Sequence, residues 1–144
     1  MKMQWILKSV AVVLLVGLFL YIIGFMPFNI FPVFHPHVER VELQTYSHSY
    51  APGNKQAQLS ADEVWKAILL YNTAGYERQI TGEPCCDTYW LEIYLTDGSM
   101  IRVAEGNQEK MIVTPVSGER FYITSRLLVD YVKNLIAKYD LVFD

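Results

Sequence analysis

Cys85 and Cys86 stand side by side within Gly82-Glu-Pro-Cys-Cys-Asp87, the sharpest chemical oddity of the chain. Adjacent cysteines can close a small strained disulfide ring, and strain makes a disulfide easier to reduce, so the pair points to redox chemistry. With Glu83 and Asp87 nearby, the two thiolates could alternatively hold a soft metal. The two-residue spacer that lets both sulfurs reach one ion is absent, however. The plainest reading is one buried thiol and one loop thiol, because strand alternation beginning at Thr88 sends neighbours to opposite sides. His35-Pro-His37 and His48 supply the remaining ligand types, but spacing fixes no third ligand for zinc or copper. No metal and no cofactor is expected. Ser47-His48-Ser49 holds a nucleophile and a base type, yet neighbours on an extended chain point apart, so the triplet is no triad.

A second set of residues suits recognition rather than reaction: Trp90, Glu92 and Tyr94, joined by Met100 and Arg102. Their placement follows from the segment Thr88 to Val103, where Tyr89, Leu91, Ile93 and Leu95 alternate with Trp90, Glu92 and Tyr94. After Asp97-Gly98 the alternation resumes, with Ile101 and Val103 against Met100 and Arg102. This predicts a hairpin. A two-residue turn at Asp97-Gly98 would set the apolar side of one strand against the charged side of the other. A three-residue loop, Thr96-Asp97-Gly98 with Gly98 left-handed, moves the pairing by one. Ile93 then faces Ile101, Leu91 faces Val103 and Glu92 faces Arg102, which keeps the apolar face continuous and pairs opposite charges. Helices covering the apolar side would leave Trp90, Tyr94 and Met100 on the other, as a face for a partner or a glycan. Packing against the Tyr46 to Gln58 loop, as a second small core, is the competing reading.

Around this hairpin the other elements fall into place. Arg40 to Tyr46 alternates, with Val41, Leu43 and Thr45 on one side of a strand, and His48 to Gln58 reads as a loop. Ser60 and Glu63 have capping-box spacing ahead of a helix whose Val64, Trp65, Ile68 and Leu69 recur at helical intervals, with Gly75 as its left-handed stop. Met111 to Val116 and Arg120 to Ile123 read as strands around a tight turn at Ser117-Gly118, with Pro115 at an edge or a strand end. Thr124 or Ser125 then caps a second amphipathic helix carrying Leu128, Val129, Val132, Leu135, Ile136 and Tyr139. The expected fold is α+β: an antiparallel sheet of about four to five strands with two amphipathic helices on one face, preceded by an N-terminal transmembrane helix.

That anchor is expected because no Asp, Glu, Lys or Arg occurs from Ser9 to Val38, and roughly 20 apolar residues suffice to cross the hydrocarbon layer. Trp5 would mark the near interface, and Phe28, Phe31 and Phe34 would sit among headgroups at the far one. The expected division is a cytoplasmic segment at 1–8, an anchor and juxtamembrane segment at 9–34, and an extracytoplasmic domain at 38–144. Lys2 and Lys8 before the run, against Arg40 with Glu39 and Glu42 after it, place the N-terminus in the cytoplasm. Met26 to Phe34 offers no small residues for signal cleavage, so the anchor is read as uncleaved. All 15 acidic residues follow Val38, as do all but two of the 12 basic ones, which disfavours nucleic acid as a partner.

Leu59-Ser-Ala-Asp-Glu63, Tyr94-Leu-Thr-Asp-Gly98 and Gly118-Glu-Arg-Phe-Tyr-Ile-Thr124 together give the domain a resemblance to small single-pass extracytoplasmic domains of unassigned function in Gram-positive bacteria. The resemblance implies an anchored exterior domain and carries no catalytic residues. No phosphate loop, zinc-helix motif, nucleophile elbow or glycosidase-type acid pair occurs. The expected function is therefore a non-catalytic binding module that meets the lipid bilayer through residues 9–34 and takes an envelope or membrane protein as partner. A redox-active or metal-binding envelope protein using Cys85 and Cys86 is the alternative.

Overall fold

Val41, Leu43 and Thr45 are all buried, while Arg40, Glu42 and Gln44 between them are half-exposed, so the first strand presents one side to a core and one to the outside. The computed structural model describes residues 2–20, 31–47, 53–80, 88–107 and 109–143. In chain order these form α1 (Lys2–Leu20), a 3-10 turn at His35–His37, β1 (Val38–Ser47), β2 (Gly53–Gln58), α2 (Ala61–Asn72) and β3 (Gly75–Gln79). They continue through β4 (Tyr89–Leu95), β5 (Met100–Glu105), β6 (Lys110–Thr114), β7 (Phe121–Thr124) and α3 (Arg126–Lys138). The strands make one antiparallel sheet of seven, ordered β2-β1-β4-β5-β6-β7-β3.

The α+β class and the central hairpin are as the sequence implied. Ile93 pairs with Ile101, Leu91 with Val103 and Glu92 with Arg102. Thr96-Asp97-Gly98 forms the loop, and Gly98 has φ +85°. Ala there meets no neighbour within 4 Å, so Gly98→Ala isolates the backbone strain; it is expected to cost about 1 kcal/mol in chemical denaturation. The turn before β7 holds Gly118 at φ +81°, and Pro115 lies just past the end of β6, an interior strand that it leaves intact.

Two strands exceed the expected sheet. Gly53 to Gln58, expected as loop, pairs with β1 over its whole length. Gly75, expected as a left-handed helix stop, instead opens β3; α2 ends at Asn72, with Thr73 in right-handed helical geometry as its cap. β3 joins the far edge beside β7, where Glu77 accepts from Lys110 Nζ at 2.7 Å and from Thr124 Oγ1 at 3.3 Å.

Both α2 and α3 cover the same side of the sheet. Ile68 and Tyr71 from α2, with Leu128, Val132 and Leu135 from α3, join Leu43, Leu91, Val103, Met111, Val113 and Ile123 in one core. Ser125 caps α3 by accepting from Leu128 N at 3.1 Å. The capping box of α2 is formed, with Glu63 Oε2 accepting from Ser60 N at 2.9 Å. Trp65 departs from the expected apolar stripe and is more than half exposed, because Ala67 and Tyr71 take the inward positions.

The expected transmembrane helix ahead of this domain is corrected: among the described residues, no helix is long and apolar enough to cross a membrane. One physical reason is visible at the end of the apolar run, where part of it belongs to the domain. Val33 is 3% exposed in the core, and the Phe31 ring stacks on Phe121 with centroids 5.0 Å apart. Asn72 clasps the backbone of Val33, its Oδ1 accepting from Val33 N at 2.8 Å and its Nδ2 donating to Val33 O at 2.7 Å. Phe31 is thus a domain side chain rather than a headgroup contact, while Phe34 is exposed.

Candidate functional site

The side of the sheet away from α2 and α3 is built by the alternate residues of β1, β4, β5, β6 and β7. In-register rows cross it: Gln44, Trp90, Ala104, Ile112 and Tyr122 form one, and Glu42, Glu92, Arg102 and Thr114 form the next. Arg40, Tyr94 and Met100 make a third.

Glu92 is the centre of a hydrogen-bonded cluster on this face. Its Oε1 accepts from Trp90 Nε1 at 3.1 Å, and its Oε2 accepts from Gln44 Nε2 at 2.6 Å and from the Tyr94 hydroxyl at 2.7 Å. The hydrogen bond to Glu92, helped by partial burial, raises the Tyr94 hydroxyl above its ordinary titration range and keeps it a donor. Two guanidinium groups lie over aromatic rings. Arg40 sits 3.8 Å from the Tyr94 centroid, and its Nε donates to Glu42 Oε1 at 2.8 Å. Arg102 sits 4.1 Å from the Trp90 centroid. Rings, cations and carboxylates thereby hold one another in place, so the face is ordered before anything binds it.

All five residues expected to form a binding face, Trp90, Glu92, Tyr94, Met100 and Arg102, do share this side of the sheet. Trp90 is not exposed as expected, however: it retains only 9% of its surface, lying in a row with the buried Ala104 and Ile112. The expected pairing of Glu92 with Arg102 holds for the backbone register, but the carboxylate is bonded by Gln44, Trp90 and Tyr94 while Arg102 stacks on Trp90. What remains accessible is the edge of Met100, part of Tyr94, and the polar rim of Arg40, Glu42 and Gln44. Arg40, Glu42 and Gln44 were missed as site residues. Their alternation with Val41 and Leu43 was a signal that they share a face, but nothing in the chain announced that β1 would lie beside β4.

The Cys85-Cys86 pair and His48 lie outside the described residues. The His35 ring packs edge-on against Trp65 at 4.7 Å and the His37 ring against Phe34 at 5.3 Å, so both serve as aromatic packing at the domain's entrance. Among the described residues there is no group of three or more His, Cys, Asp or Glu arranged to hold a metal ion.

Comparison with protein-family models, curated proteins and solved structures finds no match to this chain.

Proposed function

We propose that the chain is a non-catalytic binding module that engages an envelope or membrane protein on the exterior side of the cell membrane through the helix-free face of its sheet. The observation that carries this reading is the Glu92 cluster. Three donors converge on one carboxylate beside two stacked guanidinium groups, giving a surface whose side-chain order is already in place before association. Aromatic and arginine side chains in such surroundings are the residue types that carry most interface energy.

Lipid contact through the N-terminal apolar residues is part of the proposal. Trp5, Leu14, Leu15 and Phe19 of α1 are all more than half exposed, an apolar surface that calls for lipid or protein cover. Net negative charge on the remaining residues favours a basic or neutral partner surface over nucleic acid.

Capture of a crosslinked partner by the full-length chain tests the reading. Tyr94→Ala combined with Met100→Ser is expected to reduce capture about tenfold with little change in melting temperature, since both positions retain solvent contact. Unchanged capture by a folded double variant rejects the face. Trp90 is unsuited to this purpose, because a buried ring removed from the sheet would confound folding with binding.

A further inference from the structure

On the opposite side of the sheet, where β1 ends and β4 begins, a cleft of about 310 Å³ opens between the strands and the end of α3. Thr45, Thr88 and Tyr89 lie on its sheet side, and Ile136, Leu141 and Phe143 supply apolar walls. The outer wall is tied down. Thr45 Oγ1 donates to Leu141 O at 2.8 Å, and Lys55 Nζ donates to Asp140 O at 3.3 Å and to Val142 O at 2.6 Å.

Tyr89 is 8% exposed, and among the described residues its hydroxyl has no hydrogen-bond partner. That oxygen is not among the fully buried unpartnered polar atoms of the described residues, so it keeps contact with solvent and is open to an acceptor on a ligand. Burial and the neighbouring Glu105 carboxylate push this hydroxyl up to about 12, so it is a neutral donor across the physiological range. Glu105 also accepts from the backbone and hydroxyl of Thr88, which keeps negative charge at this end of the cleft and disfavours anions. We propose that the cleft binds a small neutral molecule with an apolar body and a carbonyl-type oxygen that accepts from Tyr89. Its volume falls at the lower end of the range for small-molecule sites. The site lies on the helix side of the sheet, so its failure would leave the proposed partner face untouched.

Acetanilide, which has a ring and an amide carbonyl, is a suitable probe, with butylbenzene as the counterpart lacking an acceptor. In amide-resolved magnetic resonance of the full-length chain, acetanilide is expected to shift the signals of Ile136 and Leu141 and to bind more tightly than butylbenzene. Tyr89→Phe is expected to weaken acetanilide about tenfold and to leave butylbenzene unchanged. Ile136→Trp, at a half-buried position on the cleft wall, is expected to block both probes and gives a second test if Tyr89→Phe fails to fold. The proposal is overturned by any of three results: no shifts at the cleft, which means water alone solvates Tyr89; equal affinity for the two probes; or acetanilide binding that survives both substitutions in folded protein.

Discussion

A chain beginning at Val38 is expected to unfold with about 4 kcal/mol less free energy than one beginning at Ile30. The shorter chain keeps every strand and both domain helices, yet it loses Val33 from the core and the Phe31 ring from its stack on Phe121. Burying an aliphatic side chain contributes about 1.5–3 kcal/mol, and an aromatic pair about 1 kcal/mol beyond its area. Three hydrogen bonds go as well: the two between Asn72 and Val33, and the one from the Tyr71 hydroxyl to Phe31 O at 2.8 Å. The loss takes the Phe31 carbonyl away from the hydroxyl of Tyr71, a residue only 1% exposed. The paired control is Asn72→Ala, expected to cost about 2 kcal/mol in the longer chain and close to nothing in the shorter one. Equal denaturant midpoints for the two lengths would show that the entry segment contributes nothing to the domain.

Glu63→Gln is expected to lower stability by about 2 kcal/mol at neutral pH and to change little near pH 2. Glu63 is 8% exposed and joins both helices: besides capping α2, it accepts from Lys138 Nζ at 2.5 Å and from the Tyr139 hydroxyl at 2.6 Å. Burial alone would raise its carboxyl. Hydrogen bonds from Lys138, Tyr139 and Ser60 outweigh that and bring it down to about 2 from an ordinary 4.5. A carboxyl depressed on folding stabilises the native state fully above its unfolded value, and that contribution fades as pH falls from about 4.5 through about 2. The ion-pair share is modest because Lys138 is largely exposed, which keeps the figure near 2 kcal/mol rather than the full equivalent of the shift. Denaturant titrations of both proteins between pH 7 and pH 2 check this; a difference that stays constant with pH would remove the charged carboxylate from the explanation.

The parts of the fold legible in the sequence were those where one local rule had one answer. Glu92 and Arg102 could face each other only if Gly98 closed a three-residue loop, and the apolar rows agreed. Ser60 and Glu63 announced a helix start, and the stripe from Leu128 to Tyr139 announced another. β2 and β3 were illegible for a shared reason. Gly53-Asn-Lys-Gln-Ala-Gln58 and Gly75-Tyr-Glu-Arg-Gln79 are polar, glycine-led edge strands that hold their shape by pairing with β1 and β7, a tertiary term that local propensity does not contain. The candidate face was legible as a set of residues and misread as a surface, because Trp90 lies in a row with Gln44 of β1 and Ile112 of β6, strands whose place beside the hairpin the sequence did not announce. Phe31 and Val33 failed differently: composition scores a core side chain and a lipid-facing one alike.

The position of β3 has a temporal consequence. Among the described residues its only strand neighbour is β7, whose residues Phe121–Thr124 come some 45 positions later in the chain. Until the ribosome has released the chain through Thr124, residues 75–79 lack the strand they pair with, and the apolar row ending at Ile123 is incomplete. Such high contact order slows folding and excludes a finished native state for any nascent or prematurely terminated product. Shielding by a chaperone during synthesis fits a topology in which this edge closes with β7.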